Sequence, residues 1–233
     1  VEETEELLVV DKAAGVLIHP TKPGGPRTLW DDARDLLAYE IANGGQVSII
    51  NRLDRETSGL VLLAKTASAA REAAMAMAAG KVRKEYLALV FGWPDWETLD
   101  VDAPLLRLGE VAESRIWLKR GVHAAGVEAR TGFEVVERAE WSGGRRVALV
   151  RARPLTGRTH QIRVHLAHVG FPVVGDKIYG PDEGWYLRFI ENGWTEEMAA
   201  ALWLPRHALH SAALGVEWRG EWREWRSGGR FAP

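Results

Sequence analysis

An α+β fold with a mixed, mostly antiparallel sheet is predicted for this chain of 233 residues by three observations. Stretches that alternate apolar and polar residues outnumber stretches of helical period. The pair at 128–141 and 144–157 is joined only by a Ser-Gly-Gly turn, as in an antiparallel hairpin. Few connections have the strand-helix-strand form that builds a parallel sheet. The length suits one large domain, or two lobes sharing a sheet.

Taken in order, ELLVVDKAAGVLI (6–18) reads as a strand, a turn at Lys12–Gly15 and a short second strand. HPTKPGGPR (19–27) is loop by its proline and glycine. A helix is expected over 28–42, with Leu29, Ala33, Leu36, Leu37 and Ile41 on one face, Thr28 as N-cap and Gly44 near the stop. VSII (47–50) and LVLLA (60–64) read as buried strands around the charged interruption NRLDRETSG (51–59). Residues 66–80 are helical and end at Gly80. Over 82–92 the chain alternates, and Val82, Lys84, Tyr86, Ala88 and Val90 share a face. Residues 93–125 show no clear period. A helix over 159–170 carries Ile162, Leu166 and Val169 on one side, a further helix lies around 185–203, and 206–226 is strand-like.

The composition, 46% hydrophobic and 27% charged, supplies a real core. The absence of cysteine excludes disulfides and thiolate metal sites, and agrees with a reducing compartment. No apolar run approaches membrane-spanning length, and the acidic start VEETEELLVV is unlike a signal peptide, so a cytoplasmic location without membrane contact is expected. A net charge of −2 gives no bulk attraction for a polyanion. Only seven of the 30 cationic residues are lysine; arginine suits phosphate and stacks on bases, although a genomic bias explains the excess equally well. The 11 tryptophans lie mostly in the second half and the C-terminal tail, where packing or a sticky edge accounts for them.

The sequence contains no GxSxG, GxxxxGK or GxGxxG element. His160, His165 and His168 have no acidic ligand close in sequence, so no metal is expected. Three features carry candidate chemistry. Asp54 stands between Arg52 and Arg55, and a nearby cation would keep it ionised, as a base or nucleophile requires. Read alone, RLDRE is more often a charged surface loop. In LTGRTHQIRVH (155–165) a helix opens with Arg158 and His160 in its first turn, a phosphate-cradling arrangement in which a cation opposes the helix dipole. Arg163 follows on the helix body with bidentate reach for a carboxylate. Tyr86 is either a platform for a base or a core tyrosine.

Together these stretches resemble the RluA-type pseudouridine synthases. The likeness runs through LLVVDKAAGVLIHP (7–20), NRLDRETSGLVLLAKT (51–66), KEYLALVFG (84–92), RPLTGRTHQIRVHLAHVGFPVVGDKIYG (153–180) and RHALHSAAL (206–214). It implies a bifurcated antiparallel sheet flanked by helices with a central cleft, within a stand-alone catalytic domain over 1–233 that leaves no room for an S4-type domain. It places the catalytic aspartate at Asp54, the tyrosine at Tyr86 and the arginine at Arg163. The implied reaction isomerises a uridine of ribosomal or transfer RNA to pseudouridine, with no cofactor and no metal, in a monomer. Arg163 would hold Asp54 ionised, Tyr86 would stack on the uracil, and Arg52, Arg158 and His160 would grip the RNA backbone or fill the space left by the flipped nucleotide.

The sequence departs from the family at Asn51, where histidine is usual, at Ala13, where proline is usual, and in the tail VEWRGEWREWR. The Asn51 change is expected to alter local RNA contacts and to leave the carboxylate's chemistry intact. Two rival readings stand beside the enzyme. One is an RNA-binding protein that keeps the fold without catalysis, against which an intact Asp54, Tyr86 and Arg163 argues. The other is an aspartate-nucleophile hydrolase, which lacks a second aspartate two residues on and has only Glu56 as a near carboxylate.

Overall fold

A computed structural model describes residues 1–141 and 143–228. Its strands are β1 (Glu2–Glu3), β2 (Leu7–Lys12), β3 (Ser48–Ile49), β4 (Ser58–Ala64), β5 (Val82–Phe91), β6 (Thr98–Asp102), β7 (Leu105–Arg107), β8 (Arg120–Val122), β9 (Arg130–Trp141), β10 (Arg145–Pro154), β11 (Leu209–Trp218) and β12 (Glu221–Arg226). Its helices are α1 (Leu29–Leu36), α2 (Ala38–Ala42), α3 (Ala67–Ala78), α4 (Gln161–His168), α5 (Gly184–Asn192) and α6 (Glu196–Leu202). The class is α+β, as expected. The described residues form two compact units, Val1–Glu85 with the described part of His210–Ala232, and Tyr86–Leu209.

In the first unit the strand order is β1-β2-β4-β11. β2 runs antiparallel to β4 along its length, from Leu7↔Ala64 to Lys12↔Gly59. The other edge of β4 is therefore shared by two strands. β11 pairs in parallel over His210↔Ser58 and Ser211↔Gly59, and β3 pairs antiparallel over Ser48↔Ala64 and Ile49↔Leu63. The sheet forks between them. Gly59 makes the close approach possible: its φ is +107°, and a Cβ there would collide with the carbonyl of Ser211. The run 60–64 is fully buried, as a two-sided core strand should be, and each of its larger side chains contributes about 1.5–3 kcal/mol of burial. α3 packs here through Ala69, Ala73 and Ala76, whose small side chains let the helix lie close to Leu60, Leu62 and Ala64.

The Trp-rich tail is a hairpin. Arg219 and Gly220 both have positive φ between the paired residues Trp218 and Glu221, the signature of a tight two-residue turn. Trp218 and Trp225 are buried in the first unit's core, so the packing reading of these tryptophans holds. The ring of Trp222 lies where a Cβ on Gly215 would be.

In the second unit β5, β10, β9 and β6 follow one another as antiparallel neighbours. The β9–β10 turn spans 142–144, of which Ser142 lies outside the described residues. β7 and β8 form a separate two-stranded sheet. Its core joins Leu105, Ile116, Ala129, Val164, Ile178 and Tyr179.

Several boundaries differ from the sequence reading. The second strand near residue 17 is only an isolated bridge, Leu17↔Thr28. The first helix divides at Leu37, although Leu37 N–H to Ala33 and Ile41 N–H to Leu37 still bridge the break; Thr28 is the N-cap, completing a capping box with Asp31. The helix near 185–203 is two, because Gly193 ends α5 in a positive-φ conformation and Thr195 caps α6 anew. α4 begins at Gln161, since His160 takes the left-handed conformation with φ 60° and breaks the helical run. Arg158 and His160 thus precede the first turn, and α4 is buried through six consecutive residues, Gln161–Leu166, with no polar side.

Candidate active site

The loop that carries Asp54 belongs to the first unit, and its shape is fixed by buried residues on either side of it. Asn51, Leu53 and Thr57 are buried, leaving Arg52 and Arg55 exposed and Asp54 half-buried. Asn51 fills the fork in the sheet. Its amide donates to the Leu60 carbonyl (3.1 Å) and its oxygen accepts from the Leu62 N–H (2.8 Å), so the side chain stands in for a strand residue on the open edge of β4. A carboxamide has the donor and acceptor this requires. In this chain the residue that departs from histidine is thus engaged by the backbone of β4.

The turn itself closes through Thr57 N–H to the Asp54 carbonyl (3.1 Å). The next carbonyl, Arg55, accepts from Gly15 N–H (2.8 Å) and from the ammonium of Lys12 (3.2 Å). Lys12, 3% exposed, also donates to the carbonyls of Ala13 (2.9 Å) and Val16 (3.0 Å). One buried ammonium therefore staples the 13–16 turn to the Asp54 loop, using three main-chain acceptors. Arg55 Nε completes the clasp on the Gly15 carbonyl (3.2 Å). Beyond the loop, Ser58 Oγ bonds His210 Nδ1 at 2.9 Å, joining TSG to the RHALHSAAL stretch.

The second unit holds Tyr86, Arg158, His160 and Arg163. Tyr86 is buried on β5 opposite Ala152, in line with buried Ala88 and Val90, the face the alternation predicts. Arg163 is 4% exposed, so it is a core side chain and does not lie along the helix surface. Its bidentate reach is present: Nε meets Asp176 Oδ2 at 2.6 Å and Nη2 meets Oδ1 at 2.8 Å. Asp176 is fully buried, and its Oδ1 also accepts from the N–H groups of Ile178 and Tyr179, each at 3.0 Å. Burial pushes its pKa up, but the charge and hydrogen bonds of Arg163, the nearby His207 and the Tyr179 amide outweigh that and hold it far below the carboxylate range.

Tyr179 links this pair to the start of α4. Arg163 lies over its ring at 4.9 Å. The Tyr179 hydroxyl accepts from Arg120 N–H (2.9 Å) and bonds His160 Nδ1 (2.7 Å). His160 and Arg163 are thereby brought together around one aromatic ring. Arg158 is turned away, with Nε on the Glu128 carbonyl at 2.9 Å. Gln161 holds the preceding turn, accepting from Thr156 Oγ1 and Arg158 N–H while donating to Arg130 O and Thr131 Oγ1.

His165 is a satisfied core histidine. Nε2 faces the Ala103 carbonyl (2.9 Å) and must donate; Nδ1 accepts from Thr131 Oγ1 (3.0 Å). Burial lowers its pKa. Among the described residues no group of His, Cys, Asp or Glu could hold a metal ion. None of their helices is long and apolar enough to cross a membrane. Lys12, Asp176 and Tyr179 were not among the residues singled out from sequence. The signal for Asp176 was available: an acid framed by Gly175 and Gly180 directly after an apolar run.

The family model described as RNA pseudouridylate synthase matches residues 6–168, a range that contains Asp54, Tyr86 and Arg163. The chain belongs to that family. Ribosomal large subunit pseudouridine synthase D of Pseudomonas aeruginosa is 38% identical over 222 residues, 93% of this chain and 63% of that protein. The mitochondrial tRNA pseudouridine(32) synthase of Saccharomyces cerevisiae is 36% identical over 184 residues, 78% of this chain and 37% of its own length. The chain thus spans less than two thirds of these curated relatives. The solved structure of human RNA pseudouridylate synthase domain containing 1 superposes with a TM-score of 0.74 at 26% identity, covering 98% of this chain and 82% of that one. The RluA-type resemblance read from the motifs and the family membership agree.

Proposed function

We propose that this synthase-family chain isomerises a uridine in structured ribosomal or transfer RNA to pseudouridine, with Asp54 as its essential carboxylate. The observation that carries the reading is the family match over 6–168 with Asp54, Tyr86 and Arg163 all inside it. Relatives named for large-subunit ribosomal RNA and for transfer RNA support the substrate class.

In the proposed reaction the N1–C1′ bond of uridine breaks, the uracil turns in place, and C5 bonds to C1′. N1 gains a proton and C5 loses one, so the isomerisation consumes nothing. Asp54 either adds to C1′ and is later displaced, or removes a C2′ proton to give a glycal; both routes require it ionised. Arg163, held by Asp176, supplies the fixed positive charge that keeps Asp54 so. Tyr86 stacks on the flipped uracil and assists loss of the C5 proton. Arg52, Arg158 and His160 contact the backbone around the flipped nucleotide, and the affinity they provide weakens with salt.

The test incubates wild-type protein and Asp54→Ala with C5-tritiated uridine transcripts of transfer and large-subunit ribosomal RNA. Wild type releases tritium and yields the C–C nucleoside; Asp54→Ala yields none while still binding RNA. Equal product from the two proteins defeats the assignment of Asp54. Binding without product from wild type would favour the non-catalytic RNA-binding reading.

A further inference from the structure

The β7–β8 hairpin carries an arrangement that the fold alone does not explain. Arg107 and Arg120 are direct partners across it, so two like charges share one face of a two-stranded sheet, an unfavourable pairing. Arg107 is relieved by Glu110, 3.2 Å from its Nε. Its guanidinium lies 3.7 Å from the ring centroid of Trp117. Among the described residues Arg120 has no carboxylate at ion-pair distance, and its Nε is shut from solvent with no hydrogen-bond acceptor. A guanidinium in that position lacks an anion.

Trp117, backed by Arg107, the cross-strand partner of Arg120, is 72% exposed, although Ile116, the preceding residue, is anchored in the core at 2%. The indole is thus held on a fixed segment, backed on one face by a cation and open elsewhere. Lys119 is already engaged by Glu183. The main-chain N–H of Arg120 bonds the same Tyr179 hydroxyl that meets His160, so the hairpin is tied directly to the start of α4.

We propose that this hairpin is an RNA-contact site in which Trp117 stacks an unpaired base and Arg120 takes a phosphate of the same strand. The inference rests on the RNA-modifying reading above and extends it to substrate recognition. A single strand supplies a π-face and an anion side by side, which is what the pair presents.

Affinity for unfractionated tRNA and for a large-subunit ribosomal RNA transcript is measured by filter binding for wild type, Trp117→Ala, Trp117→Phe and Arg120→Gln, over a salt series. Melting curves verify that each variant is folded. Trp117→Ala should weaken binding of at least one of these RNAs by about 5- to 100-fold, the worth of one stacked base, while Trp117→Phe keeps most of it. Arg120→Gln should weaken binding and flatten the salt dependence by about one phosphate contact. In turnover assays the loss should fall on the half-saturating RNA concentration more than on the saturated rate. Wild-type affinity and salt slope in both Trp117→Ala and Arg120→Gln overturn the proposal, and would point to an acidic protein partner instead. Because the readout is binding, a wild-type protein that forms no pseudouridine defeats the enzymatic reading without deciding this one.

Discussion

The loop around Asp54 and the helix carrying Arg163 are anchored by opposite means. The loop is fixed through its main chain: Lys12 gathers three carbonyls, and Asn51 occupies the peptide edge of β4. Its acid is left half-buried. On the helix the charged side chain is itself the anchor, forked onto a fully buried carboxylate. A carbonyl clamp holds position as the pH falls, because its acceptors do not protonate there. A buried ion pair is stiff and specific, but depends on both partners keeping their charge. In the proposed reaction, a nucleophile or base that must meet substrate suits the first arrangement, and a permanent cation suits the second.

The sharpest way to break this comparison is Arg163→Met. It strands Asp176 as an uncompensated buried charge and should cost about 3–5 kcal/mol of stability, read as a drop in denaturation midpoint. Activity should vanish as well, so the single variant confuses two effects. The double variant Arg163→Met with Asp176→Asn separates them, since a neutral amide still accepts from Ile178 and Tyr179. It should recover most of the stability and none of the turnover. A double variant as unstable as the single one would show that the pair is not the anchor.

Lys12→Met tests the loop. Three main-chain carbonyls lose a shared donor, and the expected cost is about 1–3 kcal/mol. The saturated rate should fall more than RNA affinity does, because Asp54 is displaced while the exposed arginines remain. Full activity with a lowered melting temperature would mean the clamp serves stability alone.

How much of this was legible in the sequence follows from how local each device is. Thr28, Gly80 and the alternation over 82–92 act within a few residues, and the chain behaves as they indicate. Asp54 was found through motif likeness, since RLDRE alone is a charged loop. Asp176 was missed because its partner lies thirteen residues away with no period between them, and Lys12 because its acceptors are carbonyls, which every residue has. The short strands β6, β7 and β8 lie in the stretch without alternation. In α4 the buried positions run consecutively, so a one-sided apolar stripe was the wrong template: Gln161, Arg163 and His165 are polar, yet each is internally satisfied.

The smallest expected effect is one of pH, and it separates the surroundings of α4 from the Asp54 loop. His165 is buried neutral with its pKa lowered from 6.5, so its contribution is complete above that value and is lost as pH falls below it, where the unfolded chain binds the proton more readily. Asp176 has its pKa lowered from 3.8, so the ion pair contributes fully above that value and fails only as pH drops toward the depressed one. Both shifts weaken the surroundings of α4 in acid, His165 first. The Lys12 clamp has carbonyl acceptors that do not protonate in this range. Amide exchange, corrected for intrinsic rates, should therefore quicken at pH 5 relative to pH 7 in residues 161–168 and stay level in 51–57. His165→Gln should remove that difference, since a carboxamide does not titrate. Equal quickening of both segments would mean that acid loosens the protein as a whole, and that the contrast between a clamp of carbonyls and a clamp of charges does not govern its stability.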